Sequence, residues 1–190
     1  MVVRVAERAR RAAGIDEVAV ATDDERIAQA ARDLPADGYL NVQGDEPLID
    51  PRAITQVAEL LRSGAEMATL ARPLEPGEAA RPEVVKVVVD ARQCALYFSR
   101  SLIPYPRREG EVAPLAHIGI YGFSAQTLQR FARLAETPLE RAEGLEQLRA
   151  LWHGIPIEVG VVDHRPAAVD TPEDLERVRR LFAEEQRRNG

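Results

Sequence analysis

The chain has 190 residues, a formal net charge of −6 and a pI near 5.2. With 45% hydrophobic and 29% charged residues it has the composition of a folded globular chain, which excludes disorder, collagen and coiled coil. No apolar run reaches the roughly 20 residues of a membrane-spanning helix, and the one cysteine, Cys94, excludes an intrachain disulfide and a cysteine-rich zinc site.

Helical and strand patterns alternate, which predicts an α/β layer structure. Met1 to Ala13 reads as a helix stopped by Gly14. Glu17 to Thr22 reads as a buried strand that runs into the acidic turn Asp23-Asp24-Glu25, and Ile27 to Asp33 as a helix. Tyr39 to Gln43 is a short strand. Asp50-Pro51 opens a helix with the face Ile54, Val57 and Leu61, ended by Ser63-Gly64. Strands are expected at Met67 to Ala71, Val84 to Val89, Ala95 to Phe98 and Ile118 to Phe123. Ser124 caps a helix, and Thr137-Pro138-Leu139-Glu140 has capping-box spacing. The helix after it places Leu145, Leu148, Leu151 and Trp152 inward. Ile157 to Val162 is the last strand, and Thr171-Pro172-Glu173-Asp174 starts a helix with Leu175, Val178 and Phe182 inward.

Five stretches could carry chemistry. Gln43-Gly44-Asp45-Glu46-Pro47 follows a strand end, where open α/β sheets place ligands. In Val169-Asp170-Thr171-Pro172-Glu173-Asp174, the helix dipole accounts for Glu173 and Asp174, while Asp170 precedes the cap and has no capping task. Asp45 and Asp170 could therefore converge on one Mg²⁺, which takes one or two carboxylates plus substrate phosphates. Arg100 and Arg107 bracket the stiff Pro104-Tyr105-Pro106 loop, and the arginine fork matches a carboxylate. Arginine is the natural choice here, because Lys86 is the only lysine among 25 basic residues.

In His117-Ile118-Gly119-Ile120-Tyr121-Gly122-Phe123, alternation puts His117, Gly119, Tyr121 and Phe123 on one face. His117 and Tyr121 are expected roughly 13 Å apart along the strand, with open floor at the glycine between them. Glu146 and Gln147 lie between apolar positions of a helix, so they are expected at its flank.

These stretches, with Arg81-Pro82-Glu83-Val84-Val85-Lys86-Val87-Val88 and Ala95-Leu96-Tyr97-Phe98-Ser99-Arg100, stand in an order that resembles the bacterial 3-deoxy-manno-octulosonate (Kdo) cytidylyltransferases over nearly the whole chain. The resemblance implies an α/β fold with a mixed, mostly parallel sheet and flanking helices, the nucleotide-diphospho-sugar transferase (Rossmann-like) fold. It implies that CTP and Kdo, an eight-carbon acid sugar, give CMP-Kdo and pyrophosphate for lipopolysaccharide synthesis. By the same resemblance Asp45 and Asp170 hold Mg²⁺ and act with Gln43 in catalysis. Arg100, Arg107, His117, Tyr121, Glu146 and Gln147 line the sugar-acid site, while Gln43, Thr22 and Asp23 face the nucleotide. A cytoplasmic homodimer is expected, with no nucleic-acid or membrane partner. The substrate and dimerisation subregion is expected around residues 95–150 of a single domain spanning 1–190.

The resemblance is incomplete. Relatives carry a phosphate-binding loop ahead of the position that matches Met1, and a Ser-Gly-Thr-Asp/Glu-Arg segment between the acidic turn and Gln43. The domain is therefore expected to be incomplete at its N-terminus and near residues 24–33, with a junction between Ile27 and Ala31. Gln93-Cys94 stands where Gly-Tyr is common, and Ala116 where a basic residue often precedes the histidine. The weighed alternatives are a cytidylyltransferase for neuraminic acid or 8-amino Kdo, and an inactive truncated paralogue that binds a sugar acid.

Overall fold

Alternating apolar positions and well-formed helix caps assemble six strands, among the described residues, into one sheet with helices on both faces. A computed structural model describes residues 1–20, 35–108, 110–163, 176, 178–183 and 187. The described elements, in chain order, are α1 (Val2–Ala9), β1 (Gly38–Val42), α2 (Pro51–Arg62), β2 (Met67–Pro73), β3 (Lys86–Val89), β4 (Ala95–Ser99), β5 (Leu115–Ser124), α3 (Ala125–Phe131), α4 (Pro138–Glu143), α5 (Gln147–Trp152) and β6 (Ile157–Val161). Residues 178–183 are helical, and Val178 is buried there.

The sheet runs β4-β3-β5-β2-β6, with β1 paired to β5 outside that order. The long strand β5 organises it. β2 pairs along one edge of β5 from Leu115 to Phe123. The opposite edge is shared: β3 takes Leu115 and Ala116, and β1 takes Ile120 to Ser124. The middle of that edge, around Gly119, is thus left between two partners.

The α/β fold with a mixed sheet agrees with the sequence expectation. The expectation that parallel pairs dominate does not hold among the described strands, where β2 and β6 are parallel and every other pair is antiparallel. Residues 17–20 do not form the expected strand. Its remaining residues, the acidic turn, the helix at 27–33 with the junction it was to contain, and the cap at Thr171 lie outside the described residues.

Side-chain alternation divides the core in two. Ile118 and Ile120 of β5 join Ala68 and Leu70 of β2 under α2, whose Ala53, Ile54 and Val57 face them. The opposite face carries Met67, Ala71, Val87, Phe98 and Phe123, covered by Leu128, Leu145 and Leu148. Gly122 lets α2 lie close, since a Cβ there would stand 2.6 Å from Val57 Cγ1.

The expected caps form. Asp50 accepts from the backbone of Arg52, Ser124 accepts from Thr127, and Thr137 and Glu140 make a reciprocal capping box. Two expectations are corrected here. The helix expected through Leu145 to Trp152 is two helices, because Gly144 takes φ +62° and ends α4. Trp152, the last residue of α5, is 53% exposed rather than inward. Gln93, in the position the resemblance assigns to glycine, does adopt a left-handed φ of +62°. Its turn is held by Asp90, which accepts from the amides of Arg92 and Cys94.

Candidate active site

The end of β1 supplies the first part of the site. Beyond Val42 the chain turns, with the Glu46 amide donating to the Gln43 carbonyl at 3.4 Å. This turn carries Gln43 to the open middle of β5, where a Cβ on Gly119 would lie 3.7 Å from Gln43 Cγ. Asp45 follows, and its Oδ1 is buried with no hydrogen-bond partner among the described residues. A desolvated carboxylate oxygen without a donor costs folding free energy, which makes Asp45 a candidate ligand-binding residue.

The inward face of β5 supplies the second part. The His117 and Tyr121 rings lean together, with centroids 5.3 Å apart. Phe98 meets the imidazole edge-on at 5.0 Å, and Phe123 lies 6.4 Å from Tyr121. The expected open floor is therefore an aromatic wall: the backbones are separated by strand spacing, but the side chains close the distance. Loss of hydration pushes the His117 pKa down to about 3, so the ring is neutral at every working pH. Loss of hydration, with the Glu146 carboxylate nearby, pushes the Tyr121 phenol up, so it keeps its proton. The wall is uncharged and carries polar atoms that can meet hydroxyl groups.

The α4–α5 turn supplies the third part. Glu146 and Gln147 follow the Gly144 break; Glu146 is exposed and Gln147 is buried. Gln147 Nε2 has no partner among the described residues. The turn is fastened from two sides. Glu140, which closes the capping box, also accepts from Arg149 Nε at 2.9 Å and from its Nη2. Burial alone would raise the Glu140 pKa, but the Arg149 and Thr137 hydrogen bonds outweigh it and hold the carboxyl below its usual range.

On the other side Arg100 donates from Nε to the Glu143 carbonyl (2.6 Å), from Nη2 to Gly144 (3.1 Å) and from Nη1 to Pro82 (3.1 Å). The Glu143 carboxylate in turn accepts from Ser99 Oγ and from the Arg100 amide. A guanidinium has five N–H groups. Arg100 thus keeps one on each terminal nitrogen that no described residue uses, which suits a carboxylate. Lys86, fully buried, donates to the carbonyls of Arg81 (2.7 Å) and Arg100 (3.0 Å), and desolvation lowers its pKa. The sole lysine is therefore a compact donor that fixes the backbone at Arg100.

The structure brings together Gln43, His117 and Tyr121 around Gly119, with Glu146 beside Tyr121, while Arg100 holds the turn that bears Glu146 and Gln147. Arg107 stands exposed in the loop after β4, without a side-chain partner among the described residues. Thr22, Asp23 and Asp170 lie outside the described residues, as does any meeting of Asp45 with Asp170. Three contributors were not singled out from the sequence: Thr69, Glu143 and Lys86 as a positioning group. Thr69 could have been noticed as the one polar residue in Met67-Ala68-Thr69-Leu70-Ala71, and Lys86 as the single lysine. A separate cleft of about 480 Å³ is lined by Arg11, Arg52, Thr55, Gln56 and Glu59, none of which belongs to this set.

The family model described as cytidylyltransferase matches residues 29–158, a range holding every described site residue. Fold and site together thus place the chain among the cytidylyltransferases. A 3-deoxy-manno-octulosonate cytidylyltransferase of Anaeromyxobacter sp. (strain Fw109-5) is 49% identical over 96% of this chain and 86% of its own. One from Escherichia coli is 41% identical over 100% of this chain and 88% of its own. A solved structure of CMP:2-keto-3-deoxy-manno-octonic acid synthetase complexed with CTP matches with a TM-score of 0.90 and 38% identity, covering 97% of this chain and 88% of that one. The chain belongs to the 3-deoxy-manno-octulosonate cytidylyltransferase family.

Proposed function

We propose that the protein transfers the cytidylyl group of CTP to Kdo, releasing pyrophosphate. The observation that carries this reading is the neutral wall of Gln43, His117 and Tyr121, with Glu146 and Gln147 beyond it. It offers hydrogen-bond partners to a polyhydroxylated chain and no buried charge to repel it. In the reaction the anomeric oxygen of the sugar forms a bond to the α-phosphorus, the bond from that phosphorus to pyrophosphate breaks, and the hydroxyl proton is lost. Such transfers depend on positioning and on charge neutralisation.

The residues divide the work. Gln43 meets the reacting end, between nucleotide and sugar. Arg100 and Arg107 take the sugar carboxylate, Arg100 through the two N–H groups that no described residue uses. His117, Tyr121, Glu146 and Gln147 hold the hydroxyl tail and set specificity for an acid sugar of that length. Thr22 and Asp23 belong to the nucleotide side.

Mg²⁺ fits Asp45, whose buried carboxylate oxygen, unpartnered among the described residues, is the hard ligand that ion takes; family likeness pairs it with Asp170. When bound, the ion neutralises phosphate charge and acidifies the attacking hydroxyl. A homodimer in the cytoplasm completes the reading. The exposed Leu96, Tyr105 and Val112 supply apolar surface for a second copy. No helix among the described residues is long and apolar enough to cross a membrane.

The test is pyrophosphate release from CTP and Mg²⁺ with and without Kdo. The reading expects release that requires Kdo and is not supported by neuraminic acid. Kdo binding without any turnover would favour a sugar-binding paralogue instead.

A further inference from the structure

We infer that Thr69 is a positioning residue that fixes His117 with its proton on Nε2, so that the ring offers substrate a hydrogen-bond acceptor at Nδ1. The inference deepens the proposed function and rests on its placement of His117 against the sugar acid.

Thr69 is fully buried in β2, at the point where the β2–β5 register shifts between Thr69 and Leu70. Across that shift Thr69 Oγ1 meets two β5 carbonyls: Ile120 at 2.7 Å and Ile118 at 3.2 Å. The same oxygen lies 2.9 Å from His117 Nε2. A hydroxyl has one proton and two lone pairs. Carbonyl oxygens can only accept, and a hydroxyl oxygen 2.7 Å from one must place its proton between them. That proton is spent on β5, so toward His117 the hydroxyl can only accept. The imidazole nitrogen facing it therefore carries hydrogen.

The ring is neutral, so a proton on Nε2 leaves Nδ1 as a lone pair. No described residue bonds Nδ1. The consequence is selective. An acceptor at that point favours a hydroxyl or ammonium group of the ligand and disfavours a carboxylate or phosphate oxygen. The sugar carboxylate must then be read elsewhere, and the hydroxyl tail is what His117 reads. The relay from Nε2–H to the Thr69 hydroxyl to the Ile120 carbonyl costs the site no charge and ties the tautomer to the backbone of the strand that bears the histidine.

The test uses ¹⁵N NMR of the His117 ring in the ligand-free protein, beside steady-state kinetics with CTP and Kdo. The wild-type ring is expected to show a protonated Nε2 and a bare Nδ1. Thr69→Ser keeps that pattern and keeps KM for Kdo within about threefold. Thr69→Val keeps shape but not the hydroxyl; the ring then populates both tautomers, and KM for Kdo rises about tenfold, the worth of one neutral hydrogen bond, while kcat changes little.

A wild-type ring protonated on Nδ1 overturns the inference. So does a Thr69→Val protein with mixed tautomers and an unchanged KM. If Thr69→Val fails to fold, the wild-type and Thr69→Ser spectra still decide the tautomer. Wild-type protein that shows the Nε2 proton but does not couple CTP to Kdo sinks the functional reading and leaves the tautomer assignment standing.

Discussion

Replacing Asp45 by Asn lowers kcat for pyrophosphate release at least about a hundredfold, while stability to urea stays the same or rises. The two halves come from one observation. Asp45 Oδ1 is buried and unpartnered among the described residues, so the folded chain carries a desolvation cost there of about 1–3 kcal/mol. Asn has the same shape without the charge, which relieves that cost. On the role proposed for Asp45 it also removes a hard anionic ligand where the reaction gathers phosphate charge. Electrostatic stabilisation at such a position is worth several kcal/mol, and a hundredfold corresponds to about 2.7 kcal/mol. A structural aspartate would behave in the opposite way, losing stability and keeping activity. Asp45→Asn protein with near wild-type turnover removes Asp45 from the chemistry.

Replacing Glu78 by Ala destabilises the fold by about 3–5 kcal/mol, the cost of leaving a buried charge without its partner. Arg72, near the end of β2, and Glu78, in the loop after it, meet through two parallel bonds, Nη1 to Oε2 at 2.8 Å and Nη2 to Oε1 at 2.7 Å. Both side chains are almost wholly buried, at 10% and 6% exposure. The carboxylate also accepts from the Glu75 amide, which folds the loop. Glu78→Ala strands the guanidinium in the interior. The double variant Arg72→Met/Glu78→Leu restores much of the loss, because apolar groups of similar volume avoid the desolvation of both ions. Urea denaturation measures both. A single variant within about 0.5 kcal/mol of wild type would show that water reaches the pair and screens it.

How far the sequence discloses this molecule depends on how local each feature is. The caps at Asp50, Ser124 and Thr137 are set by a few neighbouring residues, and all three form as their spacing predicts. The two faces of β5 follow from strict alternation, which sends Ile118 and Ile120 into one core and Phe123 into the other. Strand pairing is a long-range property. Nothing in Gly38 to Val42 says that it joins the same edge of β5 as β3, and the dominance of antiparallel pairs follows from such choices.

The candidate site was proposed as a set of residue types, and its arrangement could not be read from them. Strand spacing separates His117 from Tyr121, but it does not determine that their rings close together. Two arginines near a stiff loop suggest a carboxylate clamp; the sequence does not show that Arg100 spends three N–H groups on carbonyls while Arg107 has no side-chain partner among the described residues. Thr69 was hidden because a hydroxyl in an apolar run looks like a tolerated substitution until the carbonyls it serves are seen. Gly144 was read through as helix because the apolar spacing continues on both sides of it.

The most direct measurement of the central claim, that the wall on β5 and the α4–α5 turn form the sugar-acid pocket, is chemical-shift mapping with Kdo in the presence of CTP. The account predicts that the His117 and Tyr121 ring signals and the Gln147 side-chain amide move together as Kdo saturates. Shifts confined to the Arg11, Arg52 and Thr55 cleft, with those three groups unmoved, would contradict it.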